Sequence, residues 1–235
     1  MDRLIYLAMS GAKATMQRQE TLANNLANAS TTGFRAELAA FRAVPVEGSG
    51  ASTRVYSLES TIGYDASPGQ VAATGRNLDV AMRGGGWLAV QGRDGTEAYT
   101  RGGSLDVDAE GMLVTTSGLQ VLGDGGPIQI PRDSQVAIAA DGTVSATDAQ
   151  NHSSTVGRLK LVTPEAPLVR GSDGLFRGSD GDLAADTTAR LQDGALEGSN
   201  VSTVETMVQM IAAARQFEAQ MRSLTTAEGN DKAAS

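Results

Sequence analysis

The sequence predicts a mainly β protein with α-helices at its two ends: a central antiparallel β domain plus an N- and C-terminal helical coiled-coil pair. Three observations carry this prediction. Residues 1–35 hold four cations against two anions and residues 199–235 three against four, so the net charge of −8 is concentrated between them. Neither end contains Pro, and five of the seven Met after Met1 lie there: Met9, Met16, Met207, Met210 and Met221. Apolar residues recur at helical spacing in the ends but in short runs between turn signals in the middle.

Residues 1–35 form the first segment. Ile5, Met9, Ala12, Met16, Gln19, Ala23 and Leu26 alternate at spacings of four and three, the seam of a helix that packs on another helix. Asn28, Ser30, Thr31, Thr32 and Gly33 then stop it. Residues 36–75 show weak periodicity, Pro45, Pro68 and many Ser and Thr, which reads as an extended connector.

Residues 76–194 change rhythm. Short runs at Trp87–Val90, Ala98–Thr100, Leu105–Val107, Met112–Thr115, Gln120–Leu122, Ile128–Ile130, Val136–Ala139, Thr143–Ala146 and Arg158–Val162 read as strands. They are punctuated by Asp94-Gly95, Asp124-Gly125-Gly126, Asp141-Gly142 and Asp173-Gly174. The content of 28 Gly in 235 residues fits, being well above the ordinary share of about 7 %. Residues 195–235 supply the second seam, Val204, Met207, Ile211, Ala214, Phe217, Met221 and Leu224. It is entered through Gly198, Ser199 and Asn200, with Asn200 or Ser202 as the N-cap. No internal repeat is evident.

Composition removes several function classes. An acidic chain lacks the clustered cations that phosphate neutralisation requires, so no nucleic-acid partner is expected. Without Cys, disulfides and thiolate chemistry are excluded, and a single His excludes motifs that need two. Leu4–Met9, six apolar residues, is too short for a transmembrane span or a signal-peptide core. The expected location is therefore the cytoplasm, or beyond it by a route that needs no cleaved signal peptide.

The motifs that imitate chemistry read better as structure. Asp106-Val107-Asp108-Ala109-Glu110-Gly111 opens like a calcium loop, but Ser117 stands where the bidentate Glu is required, which leaves a hairpin turn. Gly84-Gly85-Gly86 precedes Trp87 without a following Lys-Ser or Lys-Thr. His152 sits in a polar loop, and Asp173, Asp180, Asp182 and Asp186 sit among Gly and Ser as solvated turns do. No catalytic residue, cofactor or metal is expected.

Three stretches carry a family resemblance. Ala23-Asn24-Asn25-Leu26-Ala27-Asn28-Ala29-Ser30-Thr31-Thr32-Gly33-Phe34-Arg35 resembles the signature of flagellar rod and hook axial proteins. Leu196-Glu197-Gly198-Ser199-Asn200-Val201, followed by Met207, Met210-Ile211, Arg215, Phe217-Glu218 and Thr225-Thr226, resembles the C-terminal signature of that family. Asn77-Leu78-Asp79-Val80-Ala81, Gly86-Trp87-Leu88-Ala89-Val90 and Tyr99-Thr100-Arg101 resemble its β-domain motif.

The resemblance implies a structural subunit of the proximal rod, with the distal rod as the alternative. It implies terminal helices inside a hollow axial tube, a β domain facing outward, and export through the flagellar export apparatus into the periplasm. Other rod proteins and further copies of the chain are the implied partners. The implied assembly residues are Ile5, Met9, Met16, Asn24, Asn25, Leu26, Asn28, Gly33 and Phe34, with Gly198, Asn200, Val204, Met207, Ile211, Phe217, Met221 and Leu224. The apolar ones are expected to pack inside one subunit and against neighbours, Asn24, Asn25 and Asn28 to bridge backbones, with C-terminal helix capping as the equal alternative for Asn28, and Gly33 to form a left-handed helix cap with Phe34 as an apolar anchor between the helix and the connector. The rival class is a periplasmic ligand-binding β module.

Overall fold

The computed structural model describes residues 2–45 and 55–234, and these divide into two units. Unit 1 is made of Met1–Ala29, Ala36–Asp65 and Val201–Ser235; unit 2 is made of Ser30–Arg35 and Ala66–Asn200. Residues 46–54 of the expected connector lie outside the described residues.

In unit 1, helix α1 spans Asp2–Ala27 and helix α2 spans Thr203–Ala234, and the two pack on each other. Ala-rich sequence without Pro favours both. The buried positions are mostly small: Ala8, Ala12, Ala14, Thr15, Leu22 and Asn25 on α1, Thr206 and Ala213 on α2. Small side chains let the axes approach closely, and at Gly11 a Cβ would stand only 3.0 Å from Cδ of Gln220. Ser202 is the N-cap of α2. Its hydroxyl accepts from the Glu205 N–H at 3.4 Å and its carbonyl from the Thr206 N–H at 2.9 Å. No helix among the described residues is long and apolar enough to cross a membrane.

The stretch expected as an extended connector is extended, and it is also paired. Glu37–Pro45 runs antiparallel to Val55–Tyr64, with a register shift between Leu38 and Ala39 that leaves one extra residue opposite them. Ser- and Thr-rich sequence with little alternation hides such a hairpin, because the signal for a strand is the alternation and not the extension.

Unit 2 is built from antiparallel pairs around one core. Its largest sheet runs Leu161–Val162, Trp87–Gln91, Glu97–Thr100, Phe176–Arg177, Val169–Arg170 in spatial order. A meander of Gln135–Ile138, Thr143–Thr147 and Ser153–Arg158 makes a second sheet. Leu88, Val90, Leu105, Leu113, Val121, Val144 and Leu191, each fully shielded from solvent, fill the centre. Burying such side chains contributes about 1.5–3 kcal/mol each, the main force that orders so many short strands.

The turns stabilise themselves. Asp94 Oδ1 accepts from the Thr96 N–H at 3.1 Å and hydroxyl at 2.8 Å, and Asp141 takes the same two groups of Thr143 at 3.0 and 2.9 Å. In the calcium-like string, Asp108 Oδ1 accepts from the N–H groups of Glu110 and Met112, so it closes a hairpin turn.

Two sequence readings shift. Ile128 and Ile130 are buried but lie outside a regular strand, held by an isolated bridge between Gln129 and Met112 and by the Ile128 N–H on the Val121 carbonyl, while the paired strand lies at Gly126–Pro127. Unit 2 is also wider than residues 76–194. Val71–Ala73 pairs with Ala195–Glu197, and Val80–Met82 with Leu191–Asp193, so residues 195–197 are strand and α2 begins only at Thr203. Strands of three residues show no periodicity by which to find them.

Asp186 gives this fold a defined acid response. Its carboxylate accepts from the hydroxyls of Thr163 and Thr188 at 2.7 and 2.6 Å and from the N–H of Thr188 at 2.8 Å, which pull its pKa down to about 2. The unfolded chain, with an ordinary carboxyl near 3.9, then binds the proton more tightly than the folded one. The contribution is present above about pH 4 and disappears as the pH falls towards 2. Carboxyl-carbon NMR should give an Asp186 midpoint near 2, and Asp186→Ala should lose stability at pH 6 but little at pH 2.

Candidate functional site

The residues implied by the family resemblance fall into two groups. In unit 1 the large apolar ones stand on the outside. Met9 and Met16 are each 53 % exposed, Val204 is 74 % exposed, and Met207, Ile211 and Met221 are exposed as well. Ile5, Leu26, Phe217 and Leu224 are half-buried. The expected packing of Met9 and Met16 with Met207, Ile211 and Met221 inside one subunit is therefore not the arrangement in this chain. Ala8, Ala12 and Thr15 lie at i, i+4 and i+7 on a neighbouring face of α1 and are buried instead, because bulkier residues would hold the helices apart. Of this line only Ala12 lies in the seam predicted from the sequence; Ala8 and Thr15, small and beside it, carry no strong apolar signal.

The asparagines of the first signature divide the work. Asn25 is buried, its Nδ2 donating to the Glu37 carbonyl at 3.0 Å and its Oδ1 accepting from the Glu37 N–H at 2.8 Å. One amide so satisfies both backbone groups of a residue entering the hairpin, something an apolar side chain of that size could not do. Asn28 donates through Nδ2 to the Asn24 carbonyl at 2.9 Å and so caps the end of α1. Asn24 is exposed.

In unit 2, Gly33, Phe34, Gly198 and Asn200 converge on one anchor. Gly33 has φ +69° and donates its N–H to the Glu197 carbonyl at 2.7 Å. Its left-handed conformation belongs to a turn closed by the Phe34 N–H on the Thr31 carbonyl, several residues beyond the end of α1, so it is not the helix cap. A Cβ at Gly33 would overlap the peptide between Arg101 and Gly102. Phe34 is buried, with the Arg170 guanidinium 4.5 Å from its ring centre. Its carbonyl accepts from the Asn200 N–H, and Asn200 Nδ2 donates to the Ser67 carbonyl at 3.0 Å. The Gly198 N–H donates to the Gln70 carbonyl at 2.8 Å.

At the centre of the anchor a carboxylate joins two arginines. Glu197 Oε1 accepts from Arg35 Nη2 at 2.6 Å and from the Gly69 N–H at 2.9 Å; Oε2 accepts from Arg101 Nη2 at 2.5 Å and Nε at 2.9 Å. The side chains are 0 % exposed for Glu197, 2 % for Arg35 and 3 % for Arg101. Burial drives the Arg101 pKa down against the opposing pull of Glu197. Arg101 also donates to the carbonyls of Met82, Gly84 and Gly86. Arg35, by contrast, has Nε and Nη1 buried without a hydrogen-bond partner.

In the sequence, Arg35, Arg101 and Glu197 stand only as letters of the family motifs. The signal that could have found them is a charged residue inside or at the edge of an apolar strand, as in Ala195-Leu196-Glu197. Among the described residues no group of three or more acidic or His side chains is placed to hold a metal. What this arrangement can do is fasten distant chain segments together.

Comparison with known proteins gives a consistent result. Residues 5–35 match the family model described as flagella basal body rod protein, residues 81–146 that of the flagellar hook protein FlgE/F/G D1 domain, and residues 192–235 that of the flagellar basal body rod FlgEFG protein C-terminal. The chain is 50 % identical to the flagellar basal-body rod protein FlgF of Salmonella typhimurium, over 98 % of this chain and 96 % of the relative. It is 49 % identical to FlgF of Escherichia coli K12 with the same coverage, and 33 % identical to FlgG of Bacillus subtilis over 97 % and 96 % of the two chains.

Gly33→Val tests the anchor. A branched side chain at positive φ costs about 1–3 kcal/mol in strain before the overlap with the Arg101–Gly102 peptide is counted. Urea unfolding followed by Trp87 fluorescence should show a lower midpoint, and chymotrypsin should cut after Phe34 at least tenfold faster than in the parent.

Proposed function

Because the chain belongs to the family of flagellar basal-body rod proteins, as a structural rod subunit and not an enzyme, we propose that it polymerises into the proximal rod through the outer faces of α1 and α2. The observation that carries this reading is the run of large apolar side chains left uncovered on those helices: Met9 and Met16 on α1, Val204, Met207, Val208 and Ile211 on α2. A soluble monomer gains nothing from a stripe of this kind. Each such side chain, once covered by a helix of an adjacent subunit, contributes about 1.5–3 kcal/mol, and six of them repeated around a tube give stiffness.

In this reading the helices of neighbouring subunits, copies of this chain and other rod proteins, complete a coiled-coil inner layer around the axis. Asn24 and Asn28 at the end of α1 meet the backbone of the next subunit, and Ile5, Leu26, Phe217, Met221 and Leu224 fill the borders of the seam. The proximal position rests on the closer similarity to relatives named FlgF than to the FlgG relative. The subunit leaves the cytoplasm through the flagellar export apparatus and acts in the periplasm, where the rod transmits torque towards the hook. A free ligand-binding β module would have no use for the two terminal segments that the relatives share along nearly their whole length.

Ile211→Asp is the direct test. A carboxylate buried without a partner costs several kcal/mol, enough to stop polymerisation, whereas Ile211 is exposed in the lone chain and its replacement should leave the monomer folded. Cells carrying the variant should be non-motile and yield no rods in purified basal bodies, while the purified monomer keeps the parental Trp87 emission. Normal motility would reject the proposed face.

A further inference from the structure

We propose that Glu197 is a late-closing latch: its carboxylate arrives with the final strand of unit 2, joins Arg35 to Arg101, and only then lets the Ser30–Arg35 turn dock.

The two arginines are held unequally. Arg101 has three backbone carbonyl partners, those of Met82, Gly84 and Gly86, all within 19 residues of it in the chain. Its guanidinium is therefore placed before Glu197 arrives. Arg35 has Glu197 Oε1 as the sole hydrogen-bond acceptor of its guanidinium among the described residues, at a separation of 162 positions, with Nε and Nη1 unpartnered. A cation this deeply buried is expelled to water unless a carboxylate meets it. The turn that carries Arg35 thus stays solvated until Glu197 is in place, even though the docking surface beside Arg101 and Gly102 already exists.

Chain order makes the closure late. Synthesis delivers Arg35 and Arg101 long before Glu197, and closing a loop of this length is entropically costly and slow compared with forming the local hairpins. The same residue closes several contacts at once. Its carbonyl takes the Gly33 N–H, its Oε1 takes the Gly69 N–H, and its strand pairs with Val71–Ala73. The turn that follows α1 is consequently fixed only in a chain folded through Glu197. Where this bears on rod assembly it rests on the function proposed above: unit 2 of a subunit is complete only after the segment carrying Glu197 has been delivered.

The test uses the full chain as a dilute monomer, so that assembly plays no part. During refolding, Trp87 fluorescence reports the core of unit 2, and pulsed hydrogen exchange at the Gly33 and Gly69 amides reports the latch. The Trp87 signal should precede Gly33 protection by at least tenfold in rate. At equilibrium Glu197→Gln should reduce Gly33 protection at least tenfold. Adding Arg35→Met to Glu197→Gln should restore it by at least half on a logarithmic scale, because the cation that has no acceptor besides Glu197 is then gone, while Arg101 keeps the carbonyls of Met82, Gly84 and Gly86. Gly33 protection that forms together with the Trp87 signal, that is unchanged in Glu197→Gln, or that is no better in the double variant would overturn the latch; so would loss of the Trp87 signal in both variants. None of these results bears on the exposed helix faces, and failure of the Ile211→Asp test would leave the latch standing.

Discussion

Unit 2 depends on a single buried carboxylate placed between two guanidinium groups. Glu197 accepts four hydrogen bonds through its side chain and one through its carbonyl, and the donors come from the Ser30–Arg35 turn, the Gly69 region and the end of the Glu97–Thr100 strand. Two cations sharing one anion leave an excess positive charge in the interior, which is tolerable only because the carbonyls of Met82, Gly84 and Gly86 point at Arg101. An apolar trio in their place would not dictate which segments meet. The charges make the pairing specific: a mismatched closure leaves a buried ion uncompensated.

Unit 1 obeys a different rule, sorting side chains by size and not by polarity. Ala, Thr and Gly occupy the place where α1 meets α2, and Met, Val and Ile are left outside. This inverts what a self-sufficient helical hairpin would do, since the largest apolar side chains offer the largest gain on burial. The inversion fits the assembly proposed above, in which helices of 26 and 32 residues with few large buried side chains of their own are covered by neighbouring subunits.

The sequence is a good guide where periodicity or turn chemistry is strong, and a poor one where contacts are long-range. Both helices and the strands at Trp87, Leu105, Gln135 and Thr143 are legible because their apolar spacing and the Asp-Gly turns beside them agree. The hairpin at Glu37–Pro45 is not, because its apolar residues Leu38, Ala39, Ala40, Phe41, Ala43 and Val44 do not alternate with polar ones, nor are the three-residue strands at Val71 and Ala195, which pair with each other across more than a hundred residues. Among the site residues, Gly33 and Phe34 are visible through their motif and conformational preference, and the structure adds what they rest upon. Arg101 and Glu197 escape chemical interpretation because a charge in a strand normally marks a solvated face, and only tertiary structure reveals that the two face each other.

The self-contained turns of unit 2 have a consequence for how such a protein can vary. Each of the loops at Asp94 and Asp141 is closed by a carboxylate that bonds to groups two residues ahead; Asp94 also pairs with Arg177 and the Asp141 carbonyl accepts from Arg158, but none of these bonds involves the Glu197 anchor. Residues can therefore be inserted or exchanged at these tips without altering the Glu197 joint, provided Asp94 and Asp141 are kept. Change at these tips is uncoupled from the joint, which makes them suitable places to carry an epitope or a fluorophore.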